Sequence, residues 1–348
     1  MRLKKVVSMM SHGFNGLKRK PQGDNDAGHK NLSSRQVKPN VTPSLEWVKH
    51  IPAVTPLKLE SIRCSSLIGN TLVVDSVRYL KNEEIEGDIL IVDTQERKVI
   101  QELRGHKHVV TSLCIDPVNP NRLVSGSRDG IIKVWDRPSS QCVATLQGHK
   151  EDVRCLLLDQ DTLYSGGFEG SLKELDLKTL RCVRQDDRNA SVTHLLKEAN
   201  DLYVDFHGHI RVWDTEKQAF NGIEFKGHTG AIGGIHILND LLVTVSWDKS
   251  IRVWDKYSGM LIKTIHDAHD GFIDCSALSE DRRVLFTGSW DRSIRAWNTR
   301  TWERLAIFEN AHDAEITTLQ CHGQTLISGS FSNGGQCKET LKFWDFSG

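Results

Sequence analysis

Two stretches toward the C-terminal end of the chain spell nearly the same ten residues, Ser246-Trp247-Asp248-Lys249-Ser250-Ile251-Arg252-Val253-Trp254-Asp255 and Ser289-Trp290-Asp291-Arg292-Ser293-Ile294-Arg295-Ala296-Trp297-Asn298. An internal repeat constrains the fold more than any single residue, because every copy must be one and the same supersecondary unit. The closing pair recurs as Val92-Asp93, Trp135-Asp136, Leu175-Asp176, Trp213-Asp214 and Trp344-Asp345, giving seven copies spaced 43, 40, 38, 41, 43 and 47 residues apart. A period of roughly 40 to 45 residues is that of a four-stranded propeller blade. A second signal runs in phase: Gly105-His106, Gly148-His149 and Gly227-His228, then Ala268-His269 and Ala311-His312.

The copy with the clearest text shows what one unit must be. Val109 to Ile115, Arg122 to Ser127 and Ile131 to Trp135 are short runs rich in apolar and β-branched residues, as strands require. Between them lie Asp116-Pro117-Val118-Asn119-Pro120-Asn121 and Arg128-Asp129-Gly130, which supply turn geometry. Cys142 to Leu146 provides a fourth strand before the next Gly-His, so the unit is an antiparallel meander. Both signals together, over about residues 56 to 345, resemble the WD-repeat family. The resemblance implies an all-β chain: a seven-bladed β-propeller of four-stranded antiparallel blades.

It also implies a buried polar chain within a blade, formed by His106, Ser125, Asp129 and Trp135. Indole only donates, hydroxyl and imidazole do both, and carboxylate only accepts, so the order Trp, Ser, His, Asp satisfies every group. The same set recurs as His228, Thr244, Asp248, Trp254 and as His269, Thr287, Asp291, Trp297. Elsewhere it decays: blade three has Glu169 and Leu175 for the acid and the indole, blade four has Gln185-Asp186-Asp187 where Gly-His would fall, and blade seven keeps His312, Ser328 and Trp344 around an insertion, Ser332 to Thr340. The last repeat signal leaves no chain for a fourth strand of blade seven, so that strand must come from the other end. The segment Leu45 to Ile51 has strand character, and the closing strand is expected at about residues 45–52. Closure by such a loan removes open sheet edges. The domain layout expected is a basic disordered arm over 1–44 and a propeller over 45–348.

The arm carries Arg2, Lys4, Lys5, Lys18, Arg19, Lys20, Lys30, Arg35 and Lys38 against Asp24 and Asp26. Low apolar content with scattered Gly, Asn and Ser points to disorder. Its text fits a solvated tail, and it faintly resembles both a mitochondrial presequence and, at Lys18-Arg19-Lys20-Pro21, a nuclear signal. Val6-Val7-Ser8-Met9-Met10 is too short to span a membrane. Formal net charge is zero, so no global field draws the chain toward nucleic acid or membranes. Cys64, Cys114, Cys155, Cys275 and Cys321 fall in similar strand positions of different blades and are expected to be buried reduced thiols, in a reducing, cytoplasmic or nuclear compartment.

Ser, His and Asp in hydrogen-bond reach would suit a hydrolase triad. Their repetition argues for structure instead, since a nucleophile needs an exposed hydroxyl beside an oxyanion hole. His207-Gly208-His209 is the one tight pair with metal-ligand character, at a hairpin tip, with no third or fourth ligand in view. The expectation is a chain without catalysis, cofactor or metal.

Function then belongs to surfaces. In the family that the chain resembles, the residue before the turn acid points to the mouth of the channel; here these are Arg128, Phe168, Trp247 and Trp290, with Phe331 at the matching place in blade seven. Beside them, three residues after each His, stand Val109, Asp152, Ala231, Phe272 and Glu315. Aromatic residues dominate binding hot spots and attract cations, which favours a partner segment with apolar or basic anchors. Alternatively, Trp247 and Trp290 only roof their own blades. The resemblance implies an interaction scaffold or substrate-recruiting adaptor, in a ubiquitin-ligase or signalling assembly. The rival is a binder of an anionic lipid or nucleic-acid surface assisted by the basic arm.

Overall fold

The computed structural model describes residues 53–57, 59, 62–79, 85–187, 190–331 and 340–346, all within the compact unit Ser44–Gly348. The arm expected over 1–44 lies outside the described residues. Seven sheets of four antiparallel strands follow one another along the chain. Blades one to six occupy 65–106, 110–147, 153–187, 192–225, 232–265 and 273–308. Blade seven takes 315–345 and one strand from the N-terminal side. Among the described residues no helix occurs.

That borrowed strand is Ala53–Leu57, not the 45–52 segment expected from the sequence, which lies outside the described residues. It runs antiparallel to Leu341–Asp345, with Ala53 opposite Asp345 and Leu57 opposite Leu341. Pro56 sits within it, which an edge position tolerates because one side of the strand has no ladder to donate to. Proline at this place makes the segment read as non-strand, and the apolar run just before it reads better.

Blade packing explains the residue pattern. A sheet covered on both faces buries both sides of its middle strands, so alternation gives way to continuous burial: Val284–Ser289 is buried throughout and Leu241–Ser246 after its first residue. Outer strands such as Gln141–Gln147 are largely exposed. The core is correspondingly divided into seven apolar clusters, one in each seam between neighbouring blades. The seam of Ile62, Leu72, Val74 and Val92 with Ile327, Leu341 and Phe343 joins blade one to blade seven and closes the ring. Seams are tight enough to require glycine: a Cβ on Gly126 would lie 2.4 Å from Cγ1 of Val153 in the next blade.

Cys155 and Cys275 share one ladder position, opposite Gly166 and Gly288. Cys114 and Cys321 stand elsewhere, opposite Val124 and Leu326, so the expected common position holds for only part of the set. Among the described residues every cysteine is a free thiol.

Candidate partner-binding face

The polar chains fix the turns from which the face residues project. In blade five, Trp254 Nε1 donates to Thr244 Oγ1 at 2.9 Å, Thr244 meets His228 Nε2 at 2.7 Å, and His228 Nδ1 meets Asp248 Oδ2 at 2.7 Å. Blade six repeats this with Trp297, Thr287, His269 and Asp291 at 3.0, 2.7 and 2.9 Å. Burial opposes ionisation of Asp248 and Asp291, yet the hydrogen bonds from His228 and Ser250, and from His269 and Ser293, outweigh it and hold both acids well below the usual carboxylate range. Burial keeps the imidazoles neutral by lowering their pKa. With its hydroxyl held between indole and imidazole inside the blade, none of these Ser or Thr residues is placed as an open nucleophile.

Blade two departs from expectation. His106 Nε2 meets Ser125 Oγ at 2.7 Å and Trp135 donates to the same oxygen at 2.8 Å. Asp129, however, is exposed, and buried His106 Nδ1 has no hydrogen-bond partner among the described residues. The cause lies two residues on. Ser250 and Ser293 each donate to the turn acid, at 2.6 and 2.7 Å, and hold it over the imidazole; Ile131 stands at that place and has no hydroxyl. Blade three confirms the rule, since Ser171 donates to Glu169, which meets His149 Nδ1 at 2.7 Å. Its chain ends at Ser165, 2.8 Å from His149, because Leu175 replaces the indole. In blade seven His312, Ser328 and Trp344 are joined at 2.6 and 2.7 Å.

Blades one and four carry a different device. Asp205 stands opposite His194 at the ladder position that Gly126, Gly166, Gly288 and Gly329 fill in other blades. Its Oδ1 accepts from Gly208 N at 2.8 Å and Thr193 donates to Oδ2. In blade one Asp75 Oδ1 accepts the N–H groups of Arg63 and Cys64 at 2.7 and 2.9 Å, while its buried Oδ2 has no hydrogen-bond partner among the described residues. Burial pushes both carboxyls up to about 6.

Each residue before a turn acid is fastened by its backbone N–H to the residue three after the histidine position: Arg128 to Val109, Phe168 to Asp152, Trp247 to Ala231 and Trp290 to Phe272, at 2.9 to 3.0 Å. Phe331 pairs with Glu315 in the same way across the ladder of blade seven. The two sets of residues expected at the mouth are thus one set of adjacent pairs. Arg128, Trp247, Trp290, Glu315 and Phe331 line a cavity of about 590 Å³ together with Arg63, Thr111, Arg154, Asp274 and Thr317. Phe168 lines the adjoining channel space, about 780 Å³, to which all seven blades contribute.

Three rings gather on one side. Trp247 stacks on Phe272 with centroids 5.4 Å apart, Trp290 lies 5.4 Å from Trp247, and Phe272 and Trp290 are 5.2 Å apart. Trp247 Nε1 donates to Asp274 Oδ1 at 2.8 Å. Since Phe272 and Asp274 belong to the next blade, Trp247 bridges two blades rather than roofing its own. Burial pushes the Asp274 carboxyl up, against the hydrogen bonds of Trp247 and Trp290 and the charge of Arg63. Phe272 and Trp290 remain 38% and 41% exposed, so the cluster offers open apolar area at the rim. Across the cavity, Arg63 lies 3.5 Å over the ring of Phe331 and Arg154 4.8 Å over Phe168.

Sequence reasoning missed Arg63, Arg154 and Asp274. A signal was present: Arg154 and Asp274 stand two residues after Asp152 and Phe272, and a strand returns to the same face every second residue. Carrying the mouth residues forward by two leads down the channel wall to Thr111, Arg154, Gly233, Asp274 and Thr317, all of which line it.

Comparison with known proteins agrees with this architecture. The family model described as "WD domain, G-beta repeat" matches residues 97–136, 140–174, 221–255 and 259–298. These cover the Gly-His to Trp-Asp text of blades two and five and the Ala-His to Trp-Asn text of blade six, and in blade three they run from Gly148-His149 to the residue before Leu175-Asp176. Mitochondrial division protein 1 of Aspergillus terreus is 28% identical over 167 residues, 48% of this chain and 24% of that protein. CCR4-associated factor 4 of Saccharomyces cerevisiae is 26% identical over 201 residues, 52% of this chain and 29% of that protein. The chain thus spans only about a quarter of the length of these relatives. Among solved structures, the computationally designed Ika8 protein superposes with a TM-score of 0.62 at 22% identity, over 83% of this chain and 97% of that one, a likeness of fold alone.

Proposed function

Because the chain is a WD-repeat β-propeller, we propose that it acts as a noncatalytic scaffold or adaptor that grips a segment of a protein partner at the mouth of its channel. WD-repeat propellers generally mediate protein–protein interaction. The observation that carries the choice of face is the cluster of Trp247, Phe272 and Trp290, of which Trp247 and Trp290 line a cavity wide enough for a side chain while Phe272 and Trp290 keep exposed ring area. Aromatic anchors of this kind bury large area at low entropic cost. Asp274 and Glu315 beside them suit an apolar anchor with a basic neighbour. The names of the relatives, one a division protein and one a CCR4-associated factor, fit a member of a protein assembly, and a ubiquitin-ligase or signalling complex is the type proposed. A reducing compartment, cytoplasm or nucleus, suits exposed thiols such as Cys142 and Cys182.

Affinity capture with wild type beside Phe272→Ala/Trp290→Ala tests this. Both side chains are partly exposed, so the variant is expected to melt as wild type does while losing its partner. An unchanged set of captured proteins at equal stability would move the site off this face.

A further inference from the structure

One position on the strands nearest the channel is built to aim a side chain inward. In blades two to seven the ladder between the two innermost strands slips by one residue at the same place, and the residue left over is Thr111, Arg154, Thr193, Gly233, Asp274 or Thr317. A bulge takes its extra residue out of the pairing and re-aims the side chain. All of these residues line the channel space, and Asp274 is the only carboxylate among them. Its Oδ1 accepts from Trp247 Nε1 at 2.8 Å, and the indole of Trp290 hydrogen-bonds the same carboxylate. The threonines are engaged elsewhere: Thr111 and Thr317 donate to the backbone carbonyls of Val153 and Ile62, and Thr193 donates to Asp205. Blade five makes room for Asp274. A Cβ on Gly233 would lie 2.2 Å from the carbonyl oxygen of Ile273 and 3.0 Å from Cα of Asp274, so only glycine at that bulge lets the strand carrying the carboxylate come so close.

We propose that Asp274 is the positioning residue of the aromatic face: by accepting from the indoles of two successive blades it fixes their rings, so that Trp247, Phe272 and Trp290 meet one partner segment as a single surface. This deepens the proposed function and rests on it. An indole N–H can only donate, and a carboxylate has acceptor sites enough for two of them at once. Trp247 stacks on Phe272 within 4° of parallel and Trp290 lies against both, so holding the two indoles also holds the third ring. Rings set before the partner arrives reduce the ordering cost of binding. The charges of Arg63 and Glu315 oppose one another at this carboxylate, and its directional partners are the two indoles. Asp274 therefore acts through the rings, and a basic residue of the partner segment falls to Glu315, which lines the same cavity.

The test uses the full chain, isotopically labelled at the indole nitrogens of its nine tryptophans, with the N–H signals of Trp247 and Trp290 assigned by nuclear magnetic resonance from Trp247→Phe and Trp290→Phe. Asp274→Thr installs the residue that blades two, four and seven carry at the bulge, and Asp274→Asn keeps an acceptor oxygen. Both indole N–H groups of wild type are expected to exchange with solvent at least about tenfold more slowly than those of Asp274→Thr, with Asp274→Asn in between. A change at Trp247 alone, or at neither indole, would overturn the proposal. In affinity capture from cell lysate, Asp274→Thr at unchanged melting temperature is expected to lose the proteins that wild type retains, and Asp274→Asn to keep them; Asp274→Ser serves if Asp274→Thr does not fold. Equal loss in the Thr and Asn variants would also overturn the proposal, because the partner would then be meeting the charge of Asp274 directly. If Phe272→Ala/Trp290→Ala keeps its captured proteins, the choice of face fails and the proposal with it. If that variant loses them while Asp274→Thr keeps them, the face stands and only the role of Asp274 falls.

Discussion

At the residue scale, two aspartates named together by their place in the repeat have different roles. Asp248 accepts from a buried imidazole and is held by Ser250, whereas Asp129 lies in solvent. Asp248→Ala leaves a buried donor unmatched and should cost about 1–3 kcal/mol, while Asp129→Ala should cost under about 0.5 kcal/mol in chemical denaturation. Equal costs would contradict the assignment. Asp75 gives a pH signature. It titrates near 3.8 when unfolded and at about 6 in the fold. A carboxyl that holds its proton more tightly in the folded state loses stability on ionising, so its share falls as pH rises from about 4 through 6, by up to about 3 kcal/mol. Asp75→Asn keeps an oxygen for the N–H groups of Arg63 and Cys64 and removes the charge. The variant should match wild type near pH 4 and be the more stable at pH 7.5; a constant difference between the two melting curves across that range would refute this.

At the element scale, the strands of the middle repeats were legible because turn residues and β-branched runs mark them twice over. Arg122–Ser127 coincides with its expected bounds, and Gln141–Gln147 extends the expected run by one residue at each end. What was not legible follows from effects outside one blade. Pro56 argues locally against a strand, but the open side of Leu341–Asp345 accepts Ala53–Leu57 without needing a donor at that position. The open chain in blade two could be read only by looking past the acid to Ile131. Arg154 and Asp274 lie outside the repeat text, which marks the turns and leaves the strand positions below them free to vary. The closing strand predicts that a chain beginning at residue 58 melts clearly below one beginning at residue 53 and associates more readily through its exposed edge. Identical melting of the two would show that Ala53–Leu57 contributes nothing to closure.

At the scale of the whole molecule, seven separate seams make a ring in which each blade is held by its neighbours, and the mouth is the place where residues from many blades converge. Blades five and six, with complete polar chains, present the aromatic side. Blades one to three, where those chains are absent or incomplete, present the arginines. Binding at the mouth therefore draws on both the most regular and the least regular parts of the repeat. The direct measurement is site-specific photocrosslinking with a benzoylphenylalanine residue placed at Phe272 in one chain and at Val143, exposed on the outer strand of blade two, in another. A partner crosslinked from position 272 and not from position 143 is the predicted result; the same partner crosslinked from the outer strand alone would contradict a channel-mouth site.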